Sequence, residues 1–123
     1  MSAAVRVLVV DDDPVQREVV AAILADEGYA VEQAGTGEDC LAAARAAPPD
    51  VVVLDLFLPG IDGAAVLAEL RRDEHLAATR VVVTTGVRTS HIRRLLRPDA
   101  VLFKPFGMEE LVLAVGRVAR PRA

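Results

Sequence analysis

Four aspartates, two threonines and one lysine stand where apolar runs of the chain end. Asp11, Asp12 and Asp13 follow Val7–Val10, and Asp55 closes Val51–Leu54. Thr84 and Thr85 follow Val81–Val83, and Lys104 follows Ala100–Phe103. Carboxylates brought together repel and require a cation, and hard oxygen ligands with room for water suit Mg²⁺. A lysine adds a compact positive charge, better matched to a tetrahedral oxyanion than to bidentate recognition. Asp55 is the hardest of these to explain otherwise. It lies inside Val-Val-Val-Leu-Asp-Leu-Phe-Leu, where an unpaired carboxylate is costly, so a metal ion and Lys104 are expected to hold it charged. Asp13 precedes Pro14 and reads as a helix N-cap with proline at the first helical position. His75 and His91 show no ligand spacing and read as surface residues.

These groups meet only if the apolar runs lie side by side. The runs Val5–Val10, Ala30–Ala34, Val51–Leu54, Val81–Val83 and Ala100–Phe103 are mostly β-branched and continuous, as in strands buried on both faces of a parallel sheet. Helix-period segments separate them. The first puts Val15, Val19, Ile23 and Leu24 on one face and stops at Gly28. The second opens at Thr36, with Asp39 three residues on, and ends at Pro48-Pro49. The third has Asp62 as N-cap, Ile61 and Val66 as its staple, and runs to about Arg72. A short fourth is capped by Thr89 or Ser90, shows Ile92, Leu95 and Leu96 on its apolar edge, and stops at Pro98. The fifth starts near Gly107 and buries Met108, Leu111, Val112, Val115 and Val118. Five βα units predict an α/β fold, a doubly wound (βα)5 domain with helices on both faces of a five-stranded parallel sheet. Ligands of such sheets bind outside the carboxyl ends of the strands, where the polar residues gather.

At 123 residues the chain is one domain, 1–123, with 119–123 reading as a frayed tail, Arg120 to Ala123 most clearly. Apolar residues make up 53%, which excludes global disorder; aromatics are 3%, so Val, Leu, Ile and Ala must build the core. Cys40 is the only cysteine, which excludes an internal disulfide or a multi-cysteine metal site and points to a reducing, cytoplasmic compartment. No apolar run approaches the roughly 18 residues of a membrane span, and no signal peptide is read. The net charge of −4 is unevenly placed. Residues 1–79 carry 15 acids and 5 bases, residues 80–123 carry 3 acids and 9 bases. The basic segment reads as solvated helix faces or a docking face; with no aromatic inside its arginine cluster, nucleic-acid binding is not expected.

Val-Leu-Val-Val-Asp11-Asp12-Asp13-Pro, Asp55-Leu-Phe-Leu-Pro59-Gly-Ile-Asp62-Gly63, Val-Val-Val-Thr-Thr85 and Lys104-Pro105-Phe106 occur in the order and near the spacings of a known family. Over essentially its whole length the chain resembles a response-regulator receiver domain of two-component signalling, similar to the bacterial chemotaxis receiver. The resemblance implies a flavodoxin-like sheet of order 2-1-3-4-5. It implies that Asp55 accepts a phosphoryl group from a sensor histidine kinase or a histidine phosphotransfer protein. Asp11, Asp12, Asp55 and the Phe57 backbone carbonyl would hold Mg²⁺, Thr85 would bind the phosphoryl oxygens and Lys104 would pair with them. Lys104-Pro105 would be cis. The domain would not be an enzyme beyond assisting its own phosphorylation and slow dephosphorylation. A downstream partner would dock on the face formed by the fourth helix, fifth strand and fifth helix.

The chain departs from that pattern at three places. Val101 stands where the family usually carries an aromatic that swings inward, the Thr85–Lys104 stretch is shorter than in the chemotaxis receivers, and Phe57 is bulky. Phe57, Val101 and Val87 are therefore expected to modulate the site. The departures imply a smaller switch centred on the Thr85–Thr89 loop, with Arg88, Arg93, Arg94 and Arg97 presented to an acidic partner. Two rival readings exist. Asp11-Asp12-Asp13-Pro14-Val15 fits the Asp-x-Asp-x-Thr/Val motif of haloacid-dehalogenase phosphatases, with Asp11 as nucleophile and Asp13 as acid/base. That family needs an acidic pair at a strand end beyond Lys104 and a cap segment, and neither is read in the sequence. A receiver that binds partners without being phosphorylated would not need the intact Asp11, Asp12, Asp55, Thr85 and Lys104 set.

Overall fold

β-Branched side chains that pack on both sides of a pleated sheet dominate the apolar runs, and each run forms a strand. The computed structural model describes residues 4–119. Along the chain come β1 (Arg6–Val10), α1 (Pro14–Asp26), β2 (Ala30–Ala34), α2 (Gly37–Ala46), β3 (Val51–Asp55), α3 (Gly63–Arg72) and β4 (Arg80–Thr85). A single wide turn (Ile92–Leu96), β5 (Ala100–Phe103) and α4 (Met108–Ala119) complete it. The five strands are all parallel in the order β2-β1-β3-β4-β5. Alternation divides the core. Leu8, Val10, Val52, Leu54, Val81 and Val83 face α2 and α3, whereas Val7, Val9, Val51, Val53, Val82 and Leu102 face α1 and α4. Cys40 is fully buried among the first set, and burial pushes its thiol up to about 12.

The helix signals carry over as local hydrogen bonds. The Asp13 carboxylate accepts from the Val15 and Gln16 N–H groups, the Thr36 hydroxyl from Asp39, and the Asp62 carboxylate from Ala65. Gly28 stops α1 at φ +95°. Strand bounds shift slightly: β1 begins at Arg6 rather than Val5, β3 includes Asp55, and β4 extends over Arg80–Thr85. Ala119 ends α4 rather than starting a tail, and Arg120–Ala123 lie outside the described residues.

Three expected apolar faces are corrected. Val15 and Val19 are 73% and 51% exposed. The inward stripe of α1 runs instead through Arg17, Val20, Ala21 and Leu24, a spacing that hydropathy hides because a charged residue and an alanine stand on it. Met108 is exposed because α4 opens at the rim where the strands have ended, and its stripe settles on Leu111 and Val115, with Val118 packed against them. The fourth helix is reduced to one π-type turn with no side-chain cap, although Thr89 Oγ1 accepts the His91 N–H. Its wider winding keeps Ile92 and Leu96 against the core and turns Leu95 to solvent. Arg97, at φ +52°, ends the turn before Pro98.

Gly63 matters most to the site. Its N–H donates to the Leu56 carbonyl at 2.9 Å, and a Cβ there would lie 2.4 Å from the Asp55 carbonyl and 2.6 Å from Leu56 Cα. Backbone cannot yield as a side-chain tip can. Gly63→Ala is expected to destabilise by about 1–3 kcal/mol. Gly116→Ala, in α4 with nothing near its Cβ, should stabilise by up to about 1 kcal/mol. Urea denaturation of both variants checks the contrast; equal effects would show that Gly63 is not held by its contacts.

Candidate functional site

The carboxyl ends of β1, β3 and β5 deliver the site. Asp11 directly follows β1, Asp55 is the last residue of β3, and Lys104 directly follows β5. The Lys104 ammonium donates to Asp11 Oδ2 at 3.1 Å and to Asp55 Oδ2 at 3.2 Å. Its own backbone N–H donates to the Thr85 carbonyl at 2.7 Å, which fixes where the side chain starts. The following Lys104-Pro105 bond is cis, as expected. Asp55 Oδ1 accepts the Phe57 N–H at 3.2 Å, and Asp11 Oδ1 accepts the Asp13 N–H at 2.9 Å. Each buried carboxylate is thus steered by one loop N–H and one ammonium.

Asp12 completes the cluster from the solvent side. One oxygen from each of Asp11, Asp12 and Asp55 lies within 4.8 Å of the others, with Asp11 and Asp55 buried and Asp12 exposed. Three carboxylates face one ammonium, so the site retains an excess of negative charge in an all-oxygen donor set. That chemistry fits a hard divalent cation with one open, hydrated side. Burial pushes the Asp55 carboxyl above its ordinary 3.8; the Phe57 N–H and Lys104 oppose this, and Asp11 adds to it. Burial alone would lower Lys104, but Asp11 and Asp55 together hold it above its ordinary 10.5. The two ends of the ion pair therefore respond differently. Desolvation wins at a carboxylate with one cation, and charge pairing wins at a cation with two carboxylates.

The remaining expected residues take separate places. Thr85 is fully buried at the end of β4, its hydroxyl accepting the Val87 N–H at 3.1 Å. Asp13 is engaged as the α1 cap, away from the acid/base role the phosphatase reading needs. Phe57 is 59% exposed beside Asp55, Val87 is exposed, and Val101 is half-buried against the core. His75 and His91 are exposed. Two features were missed. Arg17 donates to the Asp11 carbonyl at 2.9 Å, a role signalled only by its spacing from Val20, Ala21 and Leu24. Arg88 lies over the Phe103 ring, 5.0 Å from its centroid, a contact that sequence spacing did not indicate.

Comparison with known proteins agrees with this fold. A family model described as the response regulator receiver domain matches residues 7–116. The probable transcriptional regulatory protein TcrX of Mycobacterium tuberculosis is 39% identical over 117 residues, covering 94% of this chain and 50% of that protein. The chain spans about half the length of the curated relatives it matches. The chemotaxis protein CheY4 of Vibrio cholerae superposes with a TM-score of 0.88 at 30% identity, covering 94% of this chain and 99% of that one. The receiver domain of sensor histidine kinase PA1611 from Pseudomonas aeruginosa does so at 0.86 and 27% identity, covering 95% and 98%, and holds a magnesium ion in its active-site cleft.

In metal-free protein, Lys104→Met leaves Asp11 and Asp55 facing each other and should cost roughly 1–3 kcal/mol. The raised Lys104 value means the folded state holds this proton more tightly, so the contribution is complete below the ordinary 10.5 and fades as pH rises through it. Asp55 has the opposite consequence at neutral pH. Its raised value means stability falls as pH climbs past 3.8, so Asp55→Asn should melt higher than wild type at pH 7. Melting curves against pH check both signs; a Lys104→Met protein as stable as wild type at pH 7 contradicts the first.

Proposed function

This chain belongs to the response regulator receiver domain family of two-component systems, and we propose that Asp55 is its phosphoacceptor. The observation that carries this reading is the convergence of Asp55 with Asp11, Asp12 and Lys104 at one rim. Receiver domains take phosphoryl groups from histidine kinases, so the donor is a phosphohistidine of a kinase or phosphotransfer protein. One Asp55 carboxylate oxygen attacks phosphorus in line. The O–P bond forms as the donor's P–N bond breaks, and the imidazole leaves with the electron pair and takes up a proton. Such a transfer asks mainly for positioning and charge neutralisation. Asp11, Asp12, Asp55 and the Phe57 carbonyl are the residues that would hold Mg²⁺, which neutralises phosphoryl oxygens when bound. Lys104 turns its ammonium to another phosphoryl oxygen, and the Thr85 hydroxyl binds a third.

The output follows from what Thr85 controls. Moving that hydroxyl to a phosphoryl oxygen disturbs its bond from Val87 and the Gly86–Thr89 loop behind it. Val101 has no ring to bury in response, so the change is small and centred on this loop and the turn Ile92–Leu96. Arg88, Arg93, Arg94 and Arg97 are exposed there and suit an acidic partner. A groove of about 490 Å³ opens between that turn, β5 and α4, lined by Arg93, Asp99, Val101, Glu110, Leu113 and Arg117 among others.

Acetyl phosphate or phosphoramidate with Mg²⁺ should add one phosphoryl group to wild type and none to Asp55→Asn, read by intact-protein mass spectrometry. Labelling that survives in Asp55→Asn but is lost in Asp11→Asn would overturn the assignment. Phe57, exposed beside the acceptor, should hinder in-line attack by water on phosphorylated Asp55. Phe57→Asn is therefore expected to shorten the lifetime of the phosphorylated form; equal decay rates in the two proteins would remove the shielding role.

A further inference from the structure

We propose that Arg17 is a positioning residue for the acidic cluster, acting through the backbone of Asp11. Its Nη1 donates to the Asp11 carbonyl at 2.9 Å and its Nε donates to Gln33 Oε1 at 3.1 Å. β1 has ended there, since its last pair with β2 is Val10 with Ala34. The Asp11 N–H still reaches the Ala34 carbonyl, at 3.2 Å, but the Asp11 carbonyl has run past its ladder partner. A buried carbonyl left unpaired is costly, and a side chain must take over from the sheet. Arg17 does so from the first turns of α1. Asp11 is thereby gripped at four points: N–H by Ala34, carbonyl by Arg17, Oδ1 by the Asp13 N–H and Oδ2 by Lys104. Only the guanidinium among the cations here acts on the cluster without occupying a carboxylate oxygen.

A planar fork is required for this. Nη1 and Nε point to acceptors on different segments, the β1–α1 loop and the edge strand β2, so one rigid group locks the loop to the sheet. The fold also leaves room for it. A Cβ on Gly35 would lie 3.0 Å from Arg17 Nη1. Glycine at 35 therefore admits the guanidinium, and its φ is not one that demands glycine.

The inference rests on the metal-binding reading of the site and has a sign that separates it from a simple charge effect. A positive charge near the cluster repels a cation, so neutralising Arg17 would tighten Mg²⁺ binding if charge alone mattered. Loss of positioning weakens it. Calorimetric titration of Mg²⁺ into phosphodonor-free protein should show Arg17→Met binding about tenfold more weakly than wild type, as when outer partners of metal ligands are removed. Arg17→Lys keeps the charge but cannot hold both acceptors, and should also bind more weakly. Gly35→Ala crowds the guanidinium without deleting it and should give a smaller weakening, which keeps the test open if Arg17→Met fails to fold. Melting curves without metal report any purely structural loss. Arg17→Met or Gly35→Ala binding Mg²⁺ as tightly as wild type, or more tightly, overturns the proposal even if stability falls. Wild type that takes up no Mg²⁺ overturns the metal-binding reading and the proposal with it.

Discussion

One ammonium joins three strand ends. Lys104 reaches Asp55 across 49 residues of sequence and Asp11 across 93, and in the sheet it must pass the end of β4 to reach β3 and then β1. Nothing local in the chain could place these groups together. The arrangement exists because β1, β3, β4 and β5 are parallel and in register, so their carboxyl ends finish at one level. The energetic worth of the bridge is modest, because Lys104 keeps 29% of its side chain in water and desolvation offsets much of the attraction. Its importance lies in geometry. It holds two like-charged carboxylates near each other in a core that would otherwise drive them apart or protonate one.

The same rim is where backbone hydrogen bonding runs out, and aspartates serve both needs. Asp11 accepts the Asp13 N–H, Asp13 caps α1, Asp55 accepts the Phe57 N–H and Asp62 caps α3. Short carboxylates satisfy loop N–H groups that no strand or helix can reach, and in doing so they lose rotameric freedom. Asp11 and Asp55 are thus oriented by their loops before any cation arrives. Gly63 adds the opposing surface, packing against the backbone of Asp55 and Leu56 where any side chain would intrude.

Features that depend on one segment were legible in the sequence. The caps at Asp13, Thr36 and Asp62, the stop at Gly28 and the five apolar runs each follow from local chemistry, and the acid cluster followed once strand ends were treated as a common rim. What was not legible depends on a partner elsewhere. The α1 face was misjudged because Val15 and Val19 look like core while the inward position is Arg17, whose partners are the Asp11 carbonyl and Gln33. The short fourth helix became a π-type turn because a brief segment ending at Pro98 is shaped by what it covers. The Arg88–Phe103 contact joins a loop to a strand and has no sequence period. It also qualifies the expectation drawn from Val101. A ring does lie two residues on, packed against the same core face as Val101 and capped by the Arg88 guanidinium.

Lysine at 104 is itself informative, because it is the only lysine in a chain whose other basic residues are all arginine. Two arginines each meet a pair of acceptors, Arg71 the Thr79 carbonyl and Asp99, and Arg6 the Pro48 carbonyl and Glu32. A rigid fork suits those sites. Between Asp11 and Asp55 the requirement is different. Asp11 directly follows β1, Asp55 ends β3, and a single nitrogen bonds to an oxygen of each. An ammonium offers three donors in a tetrahedral spread, two of which go to Asp11 and Asp55. A chain so biased toward arginine carries its single lysine where one compact charge meets two carboxylates.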